Sequence, residues 1–370
     1  MKEKQVKLLG DIVIFDKRFK GISRDIQKNI VSFIHVSAEE LKKMKHENGT
    51  IKLLSTGLFT GYTTKELASN YINKGEVITI PTGGTANIKY HNGEFVDSGN
   101  ILCVSKYRDI DLKFVYYALL YNKDYIESCY KGTGIKHPYM PDIWNIPIPI
   151  PSITEQQSIV IYINSQFAKI DAIKANAEKQ LQEAKTLFQN ALKDLLTPKE
   201  GWINGILYDI AYIIHGKSQK EVLNQLGEYP IYGSGGNIMG YAIDYLCDAG
   251  TTILGRKGTI NNPIYIDTKF WNVDTAFGIC AKGDVDKRFL FFIIKKEDWQ
   301  SRNTGTTLPS LTQTVVLNIP ISYPTYIEQK EIAKKLDNIL SNIQLLQSNY
   351  SQTITLCEDL KKSLLKDIFS

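Results

Sequence analysis

A gapless internal repeat constrains this 370-residue chain more than any other feature. Residues 132–197 align with 305–370 at a constant offset of 173. Gly132-Thr133 matches Gly305-Thr306, Asn145-Ile146-Pro147-Ile148 matches Asn318-Ile319-Pro320-Ile321, and Pro151 matches Pro324. Glu155-Gln156 matches Glu328-Gln329, and Leu192-Lys193-Asp194 matches Leu365-Lys366-Asp367. One register for so many matches means a duplication, and self-similarity of this kind governs architecture before any local pattern does.

Each copy has the same physical reading. A short apolar run punctuated by proline comes first, WNIPIPIP and then LNIPISYP. Proline cannot donate to a ladder, so such a run is an edge strand or an extended exit. A capping-box pattern follows, Ser152-x-x-Glu155 and Thr325-x-x-Glu328, in which hydroxyl and carboxylate satisfy orphan N–H groups at a helix start. The spacing then predicts long helices over about 154–196 and about 327–369. Their apolar residues recur in alternating steps of three and four. The first stripe includes Ile159, Ile163, Phe167, Ile170, Ile173, Ala177, Ala184 and Phe188; the second includes Ile332, Leu336, Ile339, Ile343, Leu346, Cys357, Leu360 and Leu364. Such a stripe keeps one seam facing a partner helix. A helix of ~43 residues spans roughly 65 Å, and two equivalent stripes predict an intramolecular antiparallel coiled coil. Pro198 stops the first helix, and Lys199-Glu200-Gly201 links it to the next segment.

The intervening segments read as mixed α/β. Glu76–Ile80 and Thr251–Leu254 are β-rich runs bounded by Gly and Pro, while Leu112–Tyr121 and Lys287–Lys295 read as helices. The halves echo each other weakly here. Residues 80–87 resemble 254–261, and Val96-Asp97-Ser98 resembles Val273-Asp274-Thr275. The expected fold is mixed α+β: two similar globular domains, 1–152 and 199–325, each followed by a long helix, 153–198 and 326–370. Duplicated frames around diverged globular units suggest one architecture reading two different targets.

Charge narrows the partners. The net charge is +5. Residues 1–152 hold 21 basic and 16 acidic side chains, whereas 201–326 hold 11 of each. The excess therefore sits in the first domain, and any nucleic-acid surface on the second is a local patch. Five scattered cysteines without a CxxC point to neither a disulfide framework nor a zinc site, and fit a reducing cytoplasm. No long apolar core marks the first residues as a signal peptide, and no 18-residue apolar run predicts a membrane span.

These pieces together resemble a type I restriction-modification specificity subunit. The Gly-Thr step, the Asn-Ile-Pro-Ile strand and Pro-x-x-x-Glu-Gln opening a long helix all occur twice. The domain openings, Val6–Ile12 and Gly201-Trp202 with Asp209-Ile210, and Tyr232–Gly236 add to the likeness, which covers essentially the whole chain. The resemblance implies two target-recognition domains, each reading half of a bipartite double-stranded DNA target. It implies helices that set the spacer and dock two methyltransferase subunits, with restriction/translocase subunits joining them. It also implies adenine as the methylated base. No cofactor is expected on this chain; S-adenosylmethionine, ATP and Mg2+ would belong to the partner subunits. Related chains serve type IIB-like enzymes, and a coiled-coil scaffold binding proteins is the reading of a different class.

DNA affinity needs Lys and Arg near phosphates, and specificity needs polar groups at base edges. In the first domain the candidates are Lys17, Arg18, Lys20 and Arg24 in a basic loop, with Lys131, Lys136 and His137 around a Gly-Thr-Gly turn. In the second they are Lys217, Ser218, Ser234, Arg256, Lys257 and Arg302. The first domain lacks an Arg-Lys pair matching Arg256-Lys257. Enzyme readings fail on the residues. Ala211–Ser218 has Ala where a phosphate loop begins with Gly. Asn261-Asn262-Pro263-Ile264 lacks the second Pro and the aromatic of an adenine methyltransferase, and no Glu-x-Lys follows Pro141-Asp142 as a nuclease needs.

Overall fold

A short antiparallel strand pair ties together the two ends of each globular segment. Gln5–Leu8 pairs with Pro147–Ile150, and Ile203–Ile206 pairs with Pro320–Tyr323. Both are two-stranded, so the prolines sit where no further ladder bond is required. The computed structural model describes residues 5–18 and 30–370. The chain divides into two compact units, Met1–Asn176 with Thr353–Ser370, and Ala177–Gln352. The division passes through both long helices, so each unit holds the start of one and the end of the other.

The helices run Ile153–Leu195 and Tyr326–Phe369, within one residue of the expected bounds. In the first unit they lie antiparallel. Lys174 meets Glu358 and Lys361 meets Asp171, each at 2.5 Å. Val160 and Ile163 share a core with Leu365 and Phe369. In the second unit Phe188, Leu192 and Leu196 share a core with Ile332, Leu336 and Ile343. The buried seam is narrower than the predicted stripe. It recurs every seven residues at Gln156, Ile163, Ile170, Ala177 and Ala184, and at Gln329, Leu336 and Ile343, then after two heptads at Cys357. Ile173, Leu346 and Leu360 are exposed. Two helices need only a two-position seam, and these three residues fall just outside it.

The most informative seam residues are polar. Gln156 is fully buried and Gln329 is 3 % exposed. Gln156 Oε1 accepts the N–H of Asp111 at 2.9 Å, and its Nε2 donates to the carbonyls of Pro151 and Asp109. Gln329 Oε1 accepts the N–H of Asp286 at 2.9 Å, and its Nε2 donates to Pro324 O. Asp111 and Asp286 are the N-caps of helices Leu112–Tyr121 and Lys287–Lys296. Each glutamine thus joins the first turn of a long helix to the first turn of the helix lying on the sheet. A buried amide so satisfied is cheap to keep and costly to break.

Capping differs between the copies. Glu155 N–H donates to Ser152 Oγ at 3.3 Å, the hydroxyl half of the expected box. Glu328 Oε1 instead accepts the indole N–H of Trp202 at 3.2 Å, tying the linker exit to the second helix.

The first unit holds a six-stranded sheet in the order Val13–Phe15, Asn100–Ser105, Asn73–Pro81, Lys89–Ser98, Ile51–Ser55 and Thr60–Thr63. The second holds a four-stranded sheet, Ala211–His215, Ala276–Ala281, Thr251–Gly255 and Ile264–Ile266, and a three-stranded one, Ile238–Ala242, Tyr229–Tyr232 and Trp271–Asn272. The logic is shared. Lys89–Ser98 runs on continuously, pairing with Asn73–Pro81 at one end and in parallel with Ile51–Ser55 at the other. In the second unit its counterpart breaks into Ile264–Ile266 and Trp271–Asn272, so one sheet becomes two. Pro81 faces Asn100 as Gly255 faces Ala276, which makes Thr275 the counterpart of Gly99. The sequence match of Ser98 with Thr275 is therefore one residue out, because the two turns differ in length.

Replacing Gln156 or Gln329 with Ala should cost about 1–3 kcal/mol by leaving buried backbone groups unpaired, read as a lower urea midpoint with an unchanged slope. Ile163→Asp or Leu336→Asp buries a lone charge in a fully closed seam and should cost about 4 kcal/mol or more, seen as lost helical circular dichroism.

Candidate nucleic-acid interface

In the second unit, the turn between Asn272 and Ala276 gathers most of the predicted residues. Lys217 N–H donates to Asn272 O at 3.0 Å, and Trp271 Nε1 donates to Lys217 O at 3.0 Å. A Cβ on Gly216 would lie 1.8 Å from Val273 O, so glycine is what lets the chain approach. Arg256 N–H donates to Thr275 O at 2.8 Å, its Nη1 reaches Asp274 O at 3.4 Å, and its guanidinium lies 5.8 Å from the Phe277 ring centre. Ser234 O would lie 3.2 Å from a Cβ on Gly255. Lys217, Ser218 and Lys257 are exposed. A second loop braces this one: Gly258 N–H donates to Pro309 O at 2.9 Å, and Leu311 N–H to Arg256 O at 2.8 Å.

The first unit repeats the frame with other side chains. Thr82 takes the place of Arg256, and its hydroxyl donates to Gly99 O at 2.5 Å. Gly84 N–H donates to Lys136 O at 2.9 Å, as Gly258 does to Pro309. His137 Nδ1 lies 2.6 Å from Thr82 O. Arg18 approaches the same turn, its Nη1 3.5 Å from where a Cβ on Gly99 would stand. Arg18, Thr82, Ile101, His137, Pro138 and Met140 line a cleft of about 400 Å³. Arg18 and His137, read independently from sequence, thus meet in one place.

Beneath that cleft lies a charged cluster. The His35 ring is 5 % exposed, between Asp16 and Asp97, both fully buried. Its Nδ1 is 2.8 Å from Asp97 Oδ2. Its Nε2 is 3.2 Å from Asp16 Oδ2, without good hydrogen-bond alignment, so that contact is chiefly charge on charge. Burial by itself would lower the ring's pKa, but the two carboxylates outweigh it and hold the pKa above its ordinary value. Asp97 also accepts from Asn100, at 2.6 Å from the side chain and 3.1 Å from the backbone.

Other predicted residues are placed differently. Lys17 and Lys136 are exposed, whereas Lys20 and Arg24 lie outside the described residues. Lys131 sits 3.3 Å from Asp142 and 4.5 Å over the Tyr139 ring. Arg302 donates to Glu297 at 2.8 Å, which directs it along its own loop. Ser218 Oγ accepts Lys220 N–H at 3.4 Å. Asn303, beside the candidate Arg302, is not itself among the expected contacts; its Oδ1 accepts the N–H groups of Gly305 and Ser310, both at 2.8 Å. An Asn two residues before Gly is a turn signal, and here it shapes the bracing loop. Thr82 and His35 carried no signal of their own.

Among the described residues no three His, Cys, Asp or Glu side chains are grouped to hold a metal ion, and no helix is long and apolar enough to cross a membrane. All five cysteines are free and buried.

The family model of the type I restriction modification DNA specificity domain matches twice, over residues 24–183 and 199–356. A type I restriction enzyme specificity subunit from Methanocaldococcus jannaschii is 23 % identical over 343 residues, covering 80 % of this chain and 78 % of the relative. Among solved structures, a chain from a study of complex assembly and conformational transition of the type I R-M system superposes with a TM-score of 0.69 at 14 % identity, covering 98 % of this chain and 96 % of that one. The type I restriction-modification S subunit of M. genitalium superposes with a TM-score of 0.52 at 16 % identity, covering 97 % and 95 %. With the domain matched in both halves, this chain belongs to the type I restriction-modification DNA specificity family and contains its domain twice.

Proposed function

We propose that the chain is the non-catalytic DNA-reading subunit of a type I restriction-modification complex. Each unit reads one half of a bipartite double-stranded target, the long helices set the spacer, and two methyltransferase subunits dock on them. Restriction/translocase subunits join that assembly, and S-adenosylmethionine, ATP and Mg2+ belong to those partners. The assembly works in the cytoplasm. The observation that supports DNA reading most directly is the doubled loop frame. Gly84–Lys136 and Gly258–Pro309 are the same brace, yet the residue presented beside it is Thr82 in one unit and Arg256-Lys257 in the other. One scaffold with exchanged readers is what two unlike half-targets require, so the target is asymmetric.

Docking on the helices is supported by exposed apolar side chains where a coiled coil does not need them. Ile173 and Leu360 are more than half exposed in the first unit, and Leu187 and Leu346 are exposed in the second. They are the same two repeat positions, 173 apart.

Three outcomes check the reading. Arg256→Ala, assayed in the complex with its methyltransferase, should cost about 1–3 kcal/mol and relax specificity at one half-target only. Lys257→Ala should weaken binding evenly across sequences and lower the slope of log affinity against log salt by about 1. DNA binding that ignores salt would favour the scaffold reading. Ile173→Asp with Leu360→Asp should keep the helical circular dichroism and lower methyltransferase affinity at least about tenfold; unchanged affinity would contradict docking at this patch.

A further inference from the structure

The buried Asp16–His35–Asp97 cluster belongs to one unit only. The strand pairing puts Ile214 where Asp16 stands and Val273 where Asp97 stands. The second unit therefore builds the same frame without a buried charge. In the first, the cluster joins three pieces of chain. Asp16 ends the strand Val13–Phe15, and its Oδ1 accepts Arg18 N–H at 3.0 Å. Asp97 opens the turn that contains Gly99, against which Arg18 lies. His35 bridges them from a segment otherwise held by Val36 N–H on Asp97 O and by Asn73 on Ile34.

We propose that His35 is a positioning residue for sequence readout by the first unit: by bridging Asp16 and Asp97 it fixes the strand end bearing Arg18 against the Gly99 turn. The proposal rests on the DNA-reading function. An imidazolium faces both carboxylates with an N–H. A neutral ring has one N–H, and Nδ1 keeps it for Asp97; Asp16 then faces a lone pair with no compensating charge, a costly arrangement in the interior. The other charged groups near the cluster are Arg18, which opposes protonation of His35, and Lys89, which acts on Asp97. The folded pKa of His35 is raised. The bridge is therefore complete below the ordinary histidine pKa and is lost as pH rises through the folded value. Discrimination at the first unit's half-target should fall with rising pH, and discrimination at the second's should not.

The test uses the complex of this chain with its methyltransferase and duplexes substituted at one base in either half-target. The half assigned by Arg256→Ala belongs to the second unit. Competition binding is measured from about pH 6 to about pH 9. Expected is a loss of roughly tenfold in discrimination at the first half-target, a flat profile at the second, and a flat, low profile at the first for His35→Gln, with Asp16→Asn flattening it likewise. Parallel profiles at both halves in the unaltered protein would overturn the proposal, even if no variant folds. A pH-dependent first half that persists in folded His35→Gln would overturn it too. Absence of discrimination at both halves would instead refute the DNA-reading function, and this proposal with it.

Discussion

The buried glutamines hold the molecule's design together. Gln156 and Gln329 each spend a whole side-chain amide on backbone groups: the N–H of a helix-capping aspartate and the carbonyl of the proline that ends the edge strand. Three elements that could slide past one another, the long helix, the sheet-covering helix and the edge strand, are thereby locked at one point in each unit. An apolar residue there would pack but would leave those backbone groups unpaired. This explains why the Gln five residues after Pro is present in both copies while the globular segments have diverged.

From that lock the frame of the recognition surface follows. The sheet-covering helix packs on the strands that end at Pro81 and Gly255, and both strands lead into a glycine-bearing loop. The loop's shape is set by backbone bonds, Gly84 to Lys136 and Gly258 to Pro309, so it does not depend on which side chain the loop presents. Thr82 can stand where Arg256 stands without changing the brace. A scaffold whose geometry is carried by its backbone leaves its surface free to vary.

The long elements were legible in sequence because heptad spacing, capping residues and Pro198 are local signals read at many positions at once. The bounds came within one residue. The stripe was read too wide: Ile173, Leu346 and Leu360 have the right period for a helix face, but only the structure shows how narrow a face the partner covers. The first capping box keeps its hydroxyl half, and in the second Glu328 is engaged by a distant residue, Trp202. Among the candidate readers, glycine-flanked cations such as Arg256 and Lys257 came together, whereas Arg302 is engaged by Glu297, five residues before it. His35 was illegible, since its meaning comes from Asp16 and Asp97, brought to it by sheet pairing rather than by spacing.

If this chain selects the DNA sequence that a methyltransferase acts on, removing it must change which adenines are methylated. Single-molecule mapping of N6-methyladenine in host DNA, with and without this chain beside its methyltransferase, reads that change. The expected map holds one gapped motif with two unlike halves, present with the chain and absent without it. A methylation map unchanged by deleting the chain, or a motif with identical halves, would contradict it.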